Sequence, residues 1–235
     1  MMHSFTFAGK NSRDFGVYIS GGGTYNAPER DVTTYSVPGR NGDLIVDNGR
    51  FLNTTVSYDA FIPHGFQGKA EQLRLWLKSV TGYQRLEDDY HPDFFRMAYF
   101  SNAIDFTTHV LNRSAEFTLT FTCKPQRFLK SGEFPVVIAA SGDSLYNPYM
   151  PALPLIQLTG NGAGALVVND TTVAVKSMDG SLTLDCDLQN AYKGTTNQNA
   201  NINAPVFPAL QNGENIIGWS GGITGVSITP RWWTI

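Results

Sequence analysis

Charge is scarce in this chain. Of its 235 residues only 16% are Asp, Glu, Lys or Arg, well under the ~25% usual for globular domains. The 17 basic and 20 acidic residues give a formal charge of -3, and Lys and Arg nowhere form a run. A dedicated nucleic-acid binder would carry a basic patch, so that class is disfavoured. Cysteine is nearly absent: Cys123 and Cys186, one in each half, are too few for a disulfide framework and are expected as small buried hydrophobes. No apolar stretch approaches the ~20 residues of a membrane span. The opening Met1-Met2-His3-Ser4-Phe5 lacks the basic start and apolar core of a secretion signal. The expectation is a soluble chain made in a cytoplasm.

Catalytic signatures are missing as well. There is no Gly-x-Ser-x-Gly elbow, and Asp143-Ser144 with a distant His makes no triad that sequence can identify. Gly160-Asn161-Gly162-Ala163-Gly164 is followed by no Lys-Ser/Thr and opens no helix, so it reads as a turn between strands rather than a phosphate loop. Glu87-Asp88-Asp89-Tyr90-His91-Pro92-Asp93 is the one dense titratable patch. Its spacing fits neither a calcium loop nor a zinc site, and it reads as a solvated loop entering a turn. No catalytic residue, metal ligand or cofactor is assigned.

What the chain does have is turns and aromatic residues. With 42% hydrophobic residues, 12% aromatic residues, 23 Gly and 12 Pro, it reads as mainly β and ordered. Thr54 to Ile62 and Leu44-Ile45-Val46 read as strands. In Glu116 to Cys123, Phe117, Leu119, Phe121 and Cys123 alternate with Thr118, Thr120 and Thr122, a strand ended by Lys124-Pro125. One helix is expected over Ala70–Val80, where Leu73, Trp76, Leu77 and Val80 form one stripe and Gly82 follows as a cap; Leu75 lies off that stripe. All four His lie before residue 123, and beyond it short runs are punctuated by Asn169-Asp170, Asp179-Gly180 and Asn212-Gly213, the pattern of an antiparallel sandwich. These signals divide the chain into an N-terminal domain, 1–128, and a C-terminal domain, 129–235.

Two further stretches invite a binding role. Val37-Pro38-Gly39-Arg40-Asn41-Gly42 is a rigid bend between extended segments, because Pro38 fixes its own φ and Gly39 and Gly42 permit positive φ. It is reached through Gly21-Gly22-Gly23, where side-chain packing is impossible and another backbone can come close. Asn197-Gln198-Asn199-Ala200-Asn201-Ile202-Asn203 is an amide run that, with Trp219, Trp232 and Trp233, could form a sugar platform; on that alternative the chain is a carbohydrate-binding module in host-wall adhesion, with Trp219, Asn199 and Asn201 as contacts. The plainer reading is an exposed loop beside tryptophans that serve the core.

Taken in order, these motifs resemble the distal tail protein (Dit) family of long-tailed phages. The resemblance runs through Phe5-Thr6-Phe7-Ala8-Gly9, Ser12-Arg13-Asp14-Phe15-Gly16-Val17, the Val37 to Gly42 bend, the single helix, Leu158-Thr159-Gly160-Asn161-Gly162, Leu184-Asp185, Ala191-Tyr192, Phe207 to Asn215 and Pro230-Arg231-Trp232-Trp233. It implies an N-terminal ring-forming domain and a C-terminal galectin-like β-sandwich, in a non-enzymatic hub of the virion tail tip. Six copies, in single or stacked rings, would surround a channel for DNA that passes without specific binding. The partners implied are the tail tube protein, tail-associated or tape-measure proteins and a receptor-binding protein, with synthesis in the host bacterial cytoplasm and no membrane insertion. The residues expected at interfaces are Gly21, Gly22, Gly23, Pro38, Gly39, Arg40, Gly42, Asp88 and Asp89.

Overall fold

The computed structural model describes residues 2–235. The chain forms two compact units, one of residues up to Arg127 together with Ile235, the other of Phe128–Thr234. Antiparallel β-structure dominates both.

The first unit contains β1 (Phe5–Phe7), β2 (Lys10–Asn11), β3 (Tyr18–Ser20), β4 (Arg30–Tyr35), β5 (Leu44–Phe51), β6 (Thr54–Ile62), α1 (Phe66–Ser79), β7 (Gln84–Asp88), β8 (Phe94–Tyr99), β9 (Thr107–His109) and β10 (Ser114–Leu129), the last running past the division. Its sheet has the order β2-β1-β7-β8-β10-β6-β3, with β9 also on β10, while β4 and β5 pair only with each other. In β6 and β10 alternate side chains are buried, among them Val56, Tyr58, Leu119, Phe121 and Cys123. The expected apolar face of β10 is therefore the core face. Against it α1 lays Leu73, Trp76 and Leu77, all buried. Trp76 stacks on Phe15 at 4.3 Å and on Phe5 at 5.7 Å.

Two boundaries differ from the sequence expectation, each for a local reason. The helix begins at Phe66 rather than Ala70, because the Phe66 N–H donates to the Arg113 carbonyl at 3.2 Å and its ring meets Phe106 at 5.2 Å. Leu75, off the buried stripe, is 71% exposed. β10 does not stop before Pro125. Its pairing with β6 ends at Cys123–Thr54, so beyond that point the missing proline N–H breaks no bond to β6.

The Ser12 to Val17 motif is a single 3-10 turn. Asn11 Oδ1 caps it by accepting the Arg13 N–H at 2.9 Å, Gly16 closes it at φ 64°, and buried Ser12 Oγ accepts the Phe5 N–H at 3.2 Å. That turn brings Phe15 onto Trp76.

The second unit contains β11 (Val136–Ile138), β12 (Asp143–Asn147), β13 (Leu155–Val168), β14 (Thr171–Val175), β15 (Asp179–Asp185), β16 (Asn190–Lys193), β17 (Thr196–Asn197), β18 (Ile202–Asn203), β19 (Gly213–Thr229) and β20 (Trp233–Thr234). Its spine is the long pair β13–β19. The first half of β13 pairs with β15 and the second half with β14; likewise β19 pairs with β12 and then β11. The change of partner falls at Gly160 to Gly164. This stretch is no turn: the strand bends and continues. The reason lies across the ladder, where a Cβ on Gly222 would stand 1.9 Å from the Asn161 carbonyl oxygen and one on Gly160 2.0 Å from that of Gly222. Two glycine clusters lie against each other, and only glycine permits that approach.

Polar pairs lock the ends of this unit. Arg231 donates through both Nη atoms to Asp185, at 2.7 and 2.9 Å, and Asp185 Oδ1 also accepts the N–H groups of Asp187 and Leu188. The Arg231 hydrogen bonds hold the Asp185 carboxyl below the usual carboxylate range. Fully buried Asn215 bonds the carbonyls of Leu145, Gln211 and Gly213, and fully buried Asn147 those of Met150 and Leu210. The family-like motifs Leu184-Asp185, Phe207 to Asn215 and Pro230-Arg231 are thus structural fasteners. Cys123 and Cys186 are buried free thiols, each pushed up to about 12 by burial.

Candidate functional site

The most unusual surface is the β4–β5 ribbon. β3 pairs with β6 from Tyr18–Phe61 to Ser20–Asp59. Beyond β3 the chain keeps company with β6: Thr24 bonds Ser57 and Asn26 bonds Thr54 and Thr55. The Leu52 N–H then reaches the Glu29 carbonyl at 2.8 Å, and the ladder resumes at Arg30–Phe51 and ends at Tyr35–Leu44. One interrupted ladder therefore carries the chain off the sheet as a two-stranded arm.

Polar contacts stiffen the arm's base. Arg30 grips Asp47 through Nε and Nη2 at 3.1 to 2.8 Å, and Asp31 receives Asn48 at 2.8 Å and Arg50 at 2.6 Å. These bonds lower both carboxyls, chiefly through Arg30 at Asp47 and Asn48 at Asp31. A shift in register between Arg30 and Val32 is taken up at Gly49, φ 74°. At the tip the Arg40 N–H donates to the Val37 carbonyl at 3.1 Å. With Pro38 second and Gly39 third at φ 80°, this is a type II turn.

The outer arm is apolar on both faces. Opposite residues of an antiparallel pair share a face, so Tyr35, Leu44 and Val46 lie on one side and Val32 and Ile45 on the other. Tyr35 is 56%, Leu44 51% and Ile45 65% exposed. A two-stranded ribbon has no core of its own, and clustered exposed apolar residues mark an interaction surface.

The structure places Gly21, Gly22 and Gly23 at the arm's root and Pro38, Gly39, Arg40 and Gly42 at its tip. It also brings the root to the acidic patch: a Cβ on Gly23 would stand 2.9 Å from Tyr90 Cβ, and Tyr25 meets the His91 ring at 4.8 Å. Asp88 and Asp89 themselves are engaged internally. Asp88 accepts from Tyr58 Oη at 2.7 Å and from the Tyr90 and His91 N–H groups, while Asp89 Oδ2 accepts from Ser4 N, Ser4 Oγ and Arg13 Nη2. Burial, then the Asp88 charge, raises the Tyr58 phenol well above its usual value. The space enclosed beside Asp88, His91 and Arg96 is about 20 Å³, which is too small for a substrate. Among the described residues no group of three or more His, Cys, Asp or Glu is placed to hold a metal, and no helix is long and apolar enough to cross a membrane.

The amide side chains proposed as sugar contacts bond within the second unit. Asn199 Oδ1 accepts the Ala191 N–H at 2.6 Å, Asn201 Nδ2 donates to Gln198, and at Trp219 it is the backbone N–H that donates to Ser141 Oγ, at 2.7 Å. Trp219 is half-buried and lies opposite Leu166, itself opposite Val173, on the side of the strand that carries these buried residues.

One surface was not legible in the sequence. On the outer face of the first unit's sheet a groove of about 500 Å³ is lined by Ser20, Asp59, Phe61, Asp105, Glu116 and Thr118 among others. Its residues come from β3, β6, β9, β10 and the segment before β9. The available signal was the exposed alternate positions of β6 and β10, but only pairing reveals that they adjoin.

No protein-family model matches the chain, and no curated protein sequence matches it. Solved structures do match. The Dit protein of phage SPP1, described as a paradigm of the hub adsorption apparatus in phages infecting Gram-positive bacteria, superposes with a TM-score of 0.75 over 97% of this chain and 98% of that one, at 10% identity. A chain of the phage P2 baseplate in its activated conformation with Ca gives a TM-score of 0.52 over the same shares, at 11% identity. Both units of this chain thus have the fold seen in phage SPP1 Dit.

Proposed function

We propose that this chain is a non-enzymatic structural hub of a long-tailed phage tail tip, assembled as a ring of six around a channel for DNA. The observation that carries the reading is the likeness to SPP1 Dit along nearly the whole of both chains. The exposed arm supports it independently, because an apolar ribbon needs a partner surface. The first unit forms the ring. The second, galectin-like unit is the docking site for peripheral parts, with the tail tube protein on one side of the ring and tail-associated and receptor-binding proteins on the other. A net charge of -3 per copy leaves DNA unheld, which suits a conduit.

Light scattering across a concentration series, with negative-stain images of the same fractions, tests this. Rings of six, or pairs of such rings, are expected. Monomers at every concentration, also on co-expression with the adjacent tail protein, would overturn the reading.

A further inference from the structure

We propose that the β4–β5 arm of one copy docks across the outer face of β3, β6 and β10 of a second copy, its tip Arg40 lying on the Phe61 ring between the carboxylates of Asp59 and Glu116. This rests on the assembly reading above and adds which surface receives the arm.

The arm supplies half of the argument. Its apolar residues face outward on both sides, so contact on one side leaves the other exposed. At its end the type II turn presents Arg40, whose side chain makes no hydrogen bond or ion pair among the described residues. A guanidinium held at the tip of a rigid ribbon is pre-organised to bind carboxylate and to stack on a ring.

The groove supplies the other half. Glu116 lies opposite Phe61 and Thr118 opposite Asp59 in the β10–β6 pair, while Tyr18 and Ser20 lie opposite Phe61 and Asp59 in the β3–β6 pair. Two rows result: Glu116, Phe61 and Tyr18, the two rings 5.8 Å apart, and beside it Thr118, Asp59 and Ser20, so that one carboxylate stands in each row next to Phe61. Asp59 has only the Thr118 hydroxyl, at 3.4 Å, as a side-chain partner, and no lysine or arginine pairs with Asp59 or Asp105 among the described residues. Glu116 has His109 beside it, Nε2 to Oε2 3.7 Å. A groove of about 500 Å³ with an aromatic floor and carboxylate walls has the shape and charge for an arginine-bearing turn.

The occupant has to come from another copy. The groove lies at the Asp59 to Phe61 end of β6, whereas the arm leaves from the Thr54 end and runs on to Leu44. Counted along the ladder from position 59 to position 44, the tip stands up to roughly 50 Å away at ~3.3 Å per residue.

The test is a mixed cross-link between full-length chains. One preparation carries Arg40→Cys and the other Asp59→Cys, and the two native thiols are buried and unreactive. A disulfide-linked dimer of the two variants after mild oxidation is expected. In parallel, Arg40→Glu should weaken association about tenfold or more, and adding Asp59→Arg and Glu116→Arg to the same chain should restore it. Rings that form normally with Arg40→Glu and give no mixed cross-link would overturn this inference while leaving the hub reading intact. Monomers of the unaltered chain under all conditions would overturn both.

Discussion

Two glycine-rich regions of this molecule use the same residue for opposite reasons. In the arm, a Cβ built on Gly39 or Gly42 would touch nothing within 4 Å, yet both residues sit at φ 80°. In the β13–β19 spine, a Cβ on Gly222 would stand 1.9 Å and one on Gly164 2.5 Å from a backbone oxygen. The arm needs glycine for its backbone shape and the spine needs it for room. A requirement of room is met within the fold. A requirement of shape at an exposed tip concerns what the tip will meet. The same residue count therefore separates a part that holds the chain together from a part that reaches outward.

Substitutions can break this contrast. Gly222→Ala should act most strongly, costing about 3 kcal/mol or more, because both clashing groups are backbone and neither can swing aside. Calorimetry should show the second unit's melting lowered or lost, and an unchanged melt would mean that the strands part cheaply. Next comes the Arg231–Asp185 lock, where Asp185→Asn should cost about 2 kcal/mol at neutral pH. The Asp185 carboxyl titrates lower in the folded chain than its unfolded value of about 3.9. Its stabilisation is therefore complete above that pH and fades as pH falls through the folded value. Melting between about pH 2 and 6 should decline in acid for the unaltered chain and less steeply for Asp185→Asn. The smallest effect on folding belongs to Gly39→Val with Gly42→Val: the strain of valine at φ 80° falls on an exposed tip that can rearrange locally, so core melting should shift by no more than about 1 kcal/mol. Yet this pair should abolish ring assembly as read by light scattering. Intact rings from that variant would remove the arm's bend from the account.

Local patterns carried much of this fold into the sequence. The Leu73, Trp76, Leu77 and Val80 stripe and the Phe117 to Cys123 alternation announce their faces because each needs only its own neighbours. The glycine corner was hidden because Gly160 acquires its meaning from Gly222, sixty-two positions on. Leu44-Ile45-Val46 is a subtler case. A contiguous apolar run signals a strand covered on both faces, and here neither face is covered by the chain's own residues. The pattern was legible, and no cover for it is found among the described residues. At the candidate site, the bend and its arginine stood out as a motif, whereas Asp59, Phe61 and Glu116 are scattered and become a surface only when β6 and β10 pair.

The two thiols have a consequence of another kind. Oxidants link or modify exposed sulfur, and only its thiolate form reacts readily. Cys123 and Cys186, fully covered and reluctant to ionise, offer such oxidants almost no reactive thiolate. The chain can therefore pass between reducing and oxidising surroundings without these two sulfurs linking one copy to another.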